Sequence, residues 1–388
     1  DGNGIDNKPD DPGDSDIPGA SSWHGTHVAG TIAALTNNAI GGAGVAPNAK
    51  IMPLRALGKN GGTSYDIIQA VRYAARLSND SNTLPAQKAD VINLSLGGSS
   101  SSAAEQAVYA AARNAGVIIV AAAGNEATSS PFYPAAYPEV ISVSATRYTG
   151  TLASYSNYGS TISVAAPGGE LSNDDNSDGQ KDGVLSTVAD DSSGSRQPSY
   201  RLFEGTSMAS PHVAGVIALM KSAYPALSAS DVDQLLQSCA ITNKATSCNR
   251  DNQLGYGQID AYRAVSEALK LAGGGTLPPR PVALQSYPAE LVFGSDNSLS
   301  FTLSNAGDLQ PGQLTISDDA DWLSITAVSV DDKNLGAYSA SVSRSGLSDG
   351  YYNATISVSD GSNSLSIPVY MQNGVISSNN AMTQQYVL

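Results

Sequence analysis

Five short stretches, KIMPLRAL, ADVINLSL, GVIIVAAAG, EVISVSA and TISVAAPG, are apolar at nearly every position, and longer segments with helical spacing lie between them. A strand with one covered face alternates apolar and polar residues, so a run that is apolar throughout belongs on a strand covered on both faces. Strands of this kind alternating with helices restrict the chain to an α/β fold with a mostly parallel sheet and helices on both faces. The helices carry start signals. Ser64 precedes Ile67, Ile68, Val71 and Ala75, Ser102 opens an alanine-rich stretch ending at Asn114 before Gly116, and Ser228 with Asp231 has capping-box spacing ahead of Val232.

This pattern does not hold along the whole chain, and 388 residues exceed one compact domain. The first twenty residues are acidic, rich in Gly and Pro, and read as a loop. After Leu271 the stretch AGGGTLPPRP has too few donors and too much backbone freedom for either element type. The expected organisation is a first domain over 1–272, a linker over 273–281, a second domain over 282–374 and a tail over 375–388. In the second domain Leu299, Phe301, Leu303; Tyr338, Ala340, Val342; Ala354, Ile356, Val358; and Leu365, Ile367, Val369, Met371 alternate with polar residues, as in a small antiparallel β-sandwich.

Charge narrows the partners. Thirty-five Asp and Glu against twenty Lys and Arg give a net charge of −15, which repels nucleic-acid phosphates and anionic membrane surfaces. Hydrophobic residues at 41% with charged residues at 14% fit a folded globule, and no apolar run reaches membrane-spanning length. Cys239 and Cys248 lack the double CxxC spacing of a zinc site and suggest a local disulfide, hence a mature, exported protein; a pair of buried thiols is the alternative.

Three segments place a reactive or hydrogen-bonding group at the end of an element. In SSWHGTHVAGTIAA, His24 stands where a helix begins, ahead of the stripe Val28, Ile32 and Leu35. In VIIVAAAGNEA, a buried strand runs into Gly124 and Asn125, whose amide can donate to an oxyanion. In FEGTSMASPHVAG, Ser207 opens an apolar helix, where unpaired N–H groups and the helix dipole favour negative charge. A single such histidine or serine is more often structural or a cap. His27 and His212 are read as packing residues.

HGTHVAG and GTSMASPHVAG together, in the order His, Asn, Ser, resemble the subtilisin family of serine proteases over roughly 21–272. The resemblance implies a subtilisin-like fold and a secreted, extracellular serine endopeptidase acting on proteins or peptides. His24 would be the general base, Ser207 the nucleophile and Asn125 the oxyanion donor, with the Thr206 hydroxyl and the Ser207 N–H sharing that hole. It also makes Ser95, Leu96 and Gly97 an edge that pairs with substrate backbone, next to a pocket reached from Gly124. The family commonly has glycine before the Tyr-Pro pair at the pocket base; here it is Phe132, which is expected to narrow the pocket. The family's aspartate has no counterpart in a strand-like setting before His24. The expectation is that an aspartate-bearing segment upstream of Asp1, kept as a bound fragment or propeptide, supplies it.

Structural calcium is also expected. Asp174, Asn176 and Asp178 alternate ahead of Gly179 as in the opening of a calcium loop, although Leu185 replaces the closing glutamate. Asp1, Asn3 and Asp6 have a similar oxygen density, and by resemblance the loop LTNNAIGG would make Asn38 a ligand. In the second domain, Trp322, Leu323, Ser324 and the YYNATISV run resemble the BACON-type sandwich modules, which implies glycan or matrix contact; an inert spacer is the other reading. A catalytically dead binding protein competes with the endopeptidase, but it has no physical need for His24, Asn125 and Ser207 together.

Overall fold

A computed structural model describes Ile5 and residues 11–175, 180–244 and 247–374. The chain up to Asp175 and from Lys181 to Leu277 forms one compact unit, and a second starts at Pro278.

In the first unit β1 (Val91–Leu94), β2 (Ile118–Ala122), β3 (Ile141–Thr146) and β4 (Val164–Pro167) form a parallel sheet in that order. Val91 pairs with Ile118, Val120 with Ile141 and Val143 with Val164. Every residue of β2 and β3 is buried. Alternate residues serve opposite faces. Ile118 and Val120 pack with Ala209, Val213 and Ile217 of helix α4 (Thr206–Ala223), while Ile119 and Ala121 pack with Val71 of α2 (Ser64–Ala74) and Tyr109 of α3 (Ala103–Asn114). The apolar runs therefore have the two-sided burial expected of them.

Helix α1 (His24–Ala33) packs against both α4 and β5 (Val184–Asp190). Strand β5 pairs with β6 (Gln197–Phe203) in an antiparallel hairpin, and α5 (Ala229–Gln237) and α6 (Ala261–Leu271) complete the unit. Ser102 and Ser228 cap α3 and α5 as expected. Helix α2 is capped one residue earlier than expected, by Thr63 in a capping box with Asp66, and Ser64 is its first helical residue.

KIMPLRAL departs from expectation. It is not a strand: Ile51, Leu54 and Leu57 are exposed. Hydrophobicity alone does not make a strand, which needs a neighbour for its ladder; none pairs with this run among the described residues, and Pro53 lacks an N–H to donate.

The second unit is a two-sheet sandwich. One sheet orders β10 (Thr315–Asp318), β13 (Gly350–Ser359), β14 (Ser364–Asn373) and β8 (Leu291–Phe293); the other orders β11 (Leu323–Val330), β12 (Gly336–Val342), β9 (Ser298–Asn305) and β7 (Leu284–Tyr287). The alternating residues named above face one core, with Phe301 and Tyr338 stacked at 5.3 Å. All pairings are antiparallel except β14 with β8. No helix among the described residues is long and apolar enough to cross a membrane.

Candidate active site

Strand β2 delivers Gly124 and Asn125 to the end of the sheet where α4 begins. Gly205, just before α4, has a φ of 142°, a region L side chains rarely adopt. Its missing side chain leaves a space whose first atom would lie 3.6 Å from both the Asn125 Nδ2 and the Ser207 N. Two donors thus flank one small gap. The Asn125 amide is oriented from behind, because its Oδ1 accepts the Thr206 N–H and the Thr206 hydroxyl, both at 2.9 Å. Asn125 itself is exposed.

Thr206 differs from its expected part. Its hydroxyl is fully buried, donates to Asn125 and accepts the Gly124 N–H at 3.1 Å, so its hydrogen is not available to an oxyanion. It fixes the donor instead of being one.

Ser207 is held through its carbonyl. An α-helix would normally bond that oxygen to the N–H four residues on, but Pro211 has none. The freed Ser207 carbonyl accepts the Ser95 hydroxyl at 2.7 Å, while the Ser207 Oγ lies 3.5 Å from the Ser95 carbonyl. Asn93 extends this tie between β1 and α4: its Nδ2 donates to Ser95 Oγ at 3.0 Å and its Oδ1 accepts from Ser210 at 2.7 Å. Buried Asn157 steadies the loop after β2, accepting the Glu126 and Thr128 N–H groups and donating to the Ala123 carbonyl. Sequence reading missed Asn93, Asn157 and Pro211 as site residues.

Residues Ser95 to Gly97 continue β1 toward Gly98, which exchanges backbone hydrogen bonds with Tyr133 at 2.8 and 2.7 Å. Leu96 packs into the core on the α2–α3 side. Phe132 lies against Gly97 and Gly124: a Cβ on Gly97 would fall 2.4 Å from its ring, and one on Gly124 3.0 Å. The ring itself excludes a side chain at Gly97, while at Gly124 the positive φ of 102° and Asn157, 2.2 Å from where a Cβ would lie, exclude one.

His24 opens α1. The chain reaches it through Trp23 at φ 54°, which costs about 1–2 kcal/mol for a non-glycine residue and is offset by burying the indole. Burial pushes the His24 imidazole below the usual histidine range, and the carboxylate of Asp14 pulls it back up. Its ring has no hydrogen-bond partner among the described residues. His27, one turn on, is fully buried, stacks on Phe203 at 4.4 Å and meets the Val184 and Arg201 carbonyls at 2.9 and 3.1 Å through Nε2. His212 meets the Met208 carbonyl at 2.8 Å through Nδ1, and burial lowers both of these histidines too. Helix α1, which His24 opens, packs against α4, which bears Ser207 in its first turn.

The metal expectations fare differently. Asn176 and Asp178, like Asp1, Asn3 and Asp6, lie outside the described residues. The Asn38 Oδ1 accepts the Ile40 N–H in its own exposed turn. Arg147 pairs with Asp175 and lies 3.8 Å from Glu170, so a guanidinium already answers the acidic loop beside Asp174. Among the described residues no three His, Cys, Asp or Glu side chains converge to hold a metal. Cys239 and Cys248 form the local disulfide.

The chain is similar to known proteases. The chain is 39% identical over 281 residues to an extracellular protease of Xanthomonas campestris pv. campestris, covering 69% of this chain and 46% of that one. It is 36% identical over 249 residues to thermitase of Thermoactinomyces vulgaris, covering 64% and 76%. A protease structure from Pseudoalteromonas arctica PAMC 21717 superposes with a TM-score of 0.60 at 42% identity, covering 66% of this chain and 77% of that one. The chain spans about half the length of the first curated relatives it matches. Residues 2–257, which hold His24, Asn125 and Ser207, match the description of the subtilase family, and the chain belongs to that family.

Proposed function

We propose that this chain is the catalytic part of a secreted serine endopeptidase that cleaves proteins or peptides through an acyl-enzyme on Ser207. One observation carries the reading: Asn125 Nδ2 and Ser207 N flank a single gap at Gly205, with the amide locked by Thr206. Donors fixed before reaction cost no reorganisation when an oxyanion forms.

In this reading the Ser207 Oγ attacks the peptide carbonyl carbon as His24 accepts its proton, and the carbonyl oxygen becomes an oxyanion between the two donors. The C–N bond then breaks, and His24 returns the proton to the leaving amine. Water attacks the acyl group with His24 again as base, which frees Ser207. Substrate backbone would lie along Ser95, Leu96 and Gly97, and its side chain before the scissile bond would meet Gly124 and Phe132. The unpartnered His24 ring supports completion of the site by an aspartate from a segment upstream of Asp1.

The extracellular setting is supported by the relatives' names and by the disulfide. Structural calcium stays a proposal for the loop holding Asp174, Asn176 and Asp178, supported by its sequence pattern alone. Glycan or matrix contact by the second unit is supported by Tyr351 and Tyr370, exposed on the β13–β14 ladder beside Asn353 and Gln372.

A fluorophosphonate probe tests the reading. The full chain should be labelled once, on Ser207, and Ser207→Ala should abolish labelling. A folded chain that takes up no probe would leave the non-catalytic binding protein as the better account.

A further inference from the structure

The acidic segment before α1 is tied down at both ends. At one end the tip of the β5–β6 hairpin grips it: the Asp191 carboxylate accepts the Gly19 N–H at 2.8 Å and the Ser21 hydroxyl at 3.0 Å, and Arg196 donates to the Asp11 carbonyl at 2.7 Å. Gly13, at φ 100°, lets the segment pass Ser21, since a Cβ there would fall 2.4 Å from the Ser21 hydroxyl. At the other end the Asp14 carboxylate accepts both the N–H of Ser22, at 2.6 Å, and its hydroxyl. The same Ser22 oxygen then accepts the His24 N–H at 3.3 Å. A carboxylate is thus joined through one serine to the first residue of α1.

We propose that Asp14, acting through Ser22, is a positioning residue that holds His24 at the helix start and keeps a negative charge beside its imidazole. The proposal rests on reading His24 as the general base, where a nearby carboxylate favours the imidazolium that forms during attack. Of the other titratable groups, His27 on α1 interacts electrostatically with His24 and with His212 of α4, and the hairpin presents the Val184 and Arg201 carbonyls and the Phe203 ring to His27. Asp14 is therefore the one negative group acting on His24 among the described residues, and it draws the His24 pKa up against burial.

The experiment is an NMR titration of the three histidines in the full chain, with His24 assigned from a His24→Gln variant. Asp14→Asn keeps the shape and removes the charge, so the His24 midpoint should fall to lower pH while His27 and His212 hold theirs. Ser22→Ala keeps the charge but cuts the tether, and the His24 midpoint should move in the same direction. An unchanged His24 midpoint in both variants, or an equal shift of all three histidines, would overturn the proposal. These readings need no turnover, so they are separable from probe labelling of Ser207: labelling can fail while the titration stands, and the reverse.

Discussion

Asn125 and Thr206 are joined by two hydrogen bonds and Thr206 is tied to Gly124 by a third, whereas the ring of His24 has no partner among the described residues and is placed by its helix, by burial and by the tether from Asp14. The serine half of the cleft is set by neutral groups bonded within the unit. The histidine half is set by where α1 begins and by charges around it. A donor for an oxyanion must be rigid before reaction, but a general base has to change protonation state, so its surroundings act by tuning as much as by fixing.

Breaking the serine half should cost most. Thr206→Val keeps the volume but removes the hydroxyl that orients Asn125 and accepts the Gly124 N–H. That N–H is then left buried and unpaired, a cost of about 1–3 kcal/mol to stability. Loss of a locked donor at the oxyanion should slow probe labelling of Ser207 by about ten- to a hundredfold, since each 1.36 kcal/mol is a factor of ten. Labelling at the wild-type rate in a folded Thr206→Val chain would mean the amide is held by something else.

The pocket sharpens the comparison with a smaller effect. Phe132 packs against Gly97 and against Gly124, the residue before Asn125. Phe132→Gly should raise the relative rate on large apolar side chains before the scissile bond by about tenfold, the range that pocket volume commands. The rate of probe labelling should hardly move. Equal preference in the two proteins would remove Phe132 as a determinant of pocket size.

What the sequence allowed to be read follows from the range of the forces involved. β2 was legible because burial on both faces favours apolar residues at every position, β3 less directly because its buried second face carries Ser142, Ser144 and Thr146, and the sandwich strands because burial on one face requires alternation. KIMPLRAL satisfied the same composition rule and still lies outside the sheet, because pairing is a property of two segments. His24, Asn125 and Ser207 stood out because each ends an element. The residues that hold them did not: Asn93 meets Ser210 across 117 positions and Asn157 meets Glu126 across 31. No local spacing reports such bonds. The exception is Pro211, a proline inside a helix, whose missing N–H marks a free carbonyl at Ser207 and could have been noticed.

Mild acid should separate the two halves with the least perturbation. The serine half relies on Asn, Thr and Ser, which do not titrate near neutrality. The histidine half contains His24 and His27, each pushed by burial below the usual histidine value, as is His212 further along α4. An unfolded histidine binds its proton at a pH of about 6.5, but these folded ones bind only at lower pH, so in that window the unfolded chain holds more protons. Stability is therefore complete above about pH 6.5 and declines as pH falls below it. Asp14, Asp175 and Asp251 have lowered values, so their share is lost only in stronger acid, as pH falls from the ordinary carboxylate range toward those values. His27 is the cleanest probe, being fully buried against Phe203 with its Nδ1 unpartnered, so a second proton there meets no acceptor. Thermal melts of wild type should show the melting temperature dropping between pH 6.5 and pH 5, and His27→Gln, which cannot titrate, should drop less over the same range. Parallel curves for the two proteins would show that mild acid acts elsewhere and that the histidine half is as indifferent to protons as the serine half.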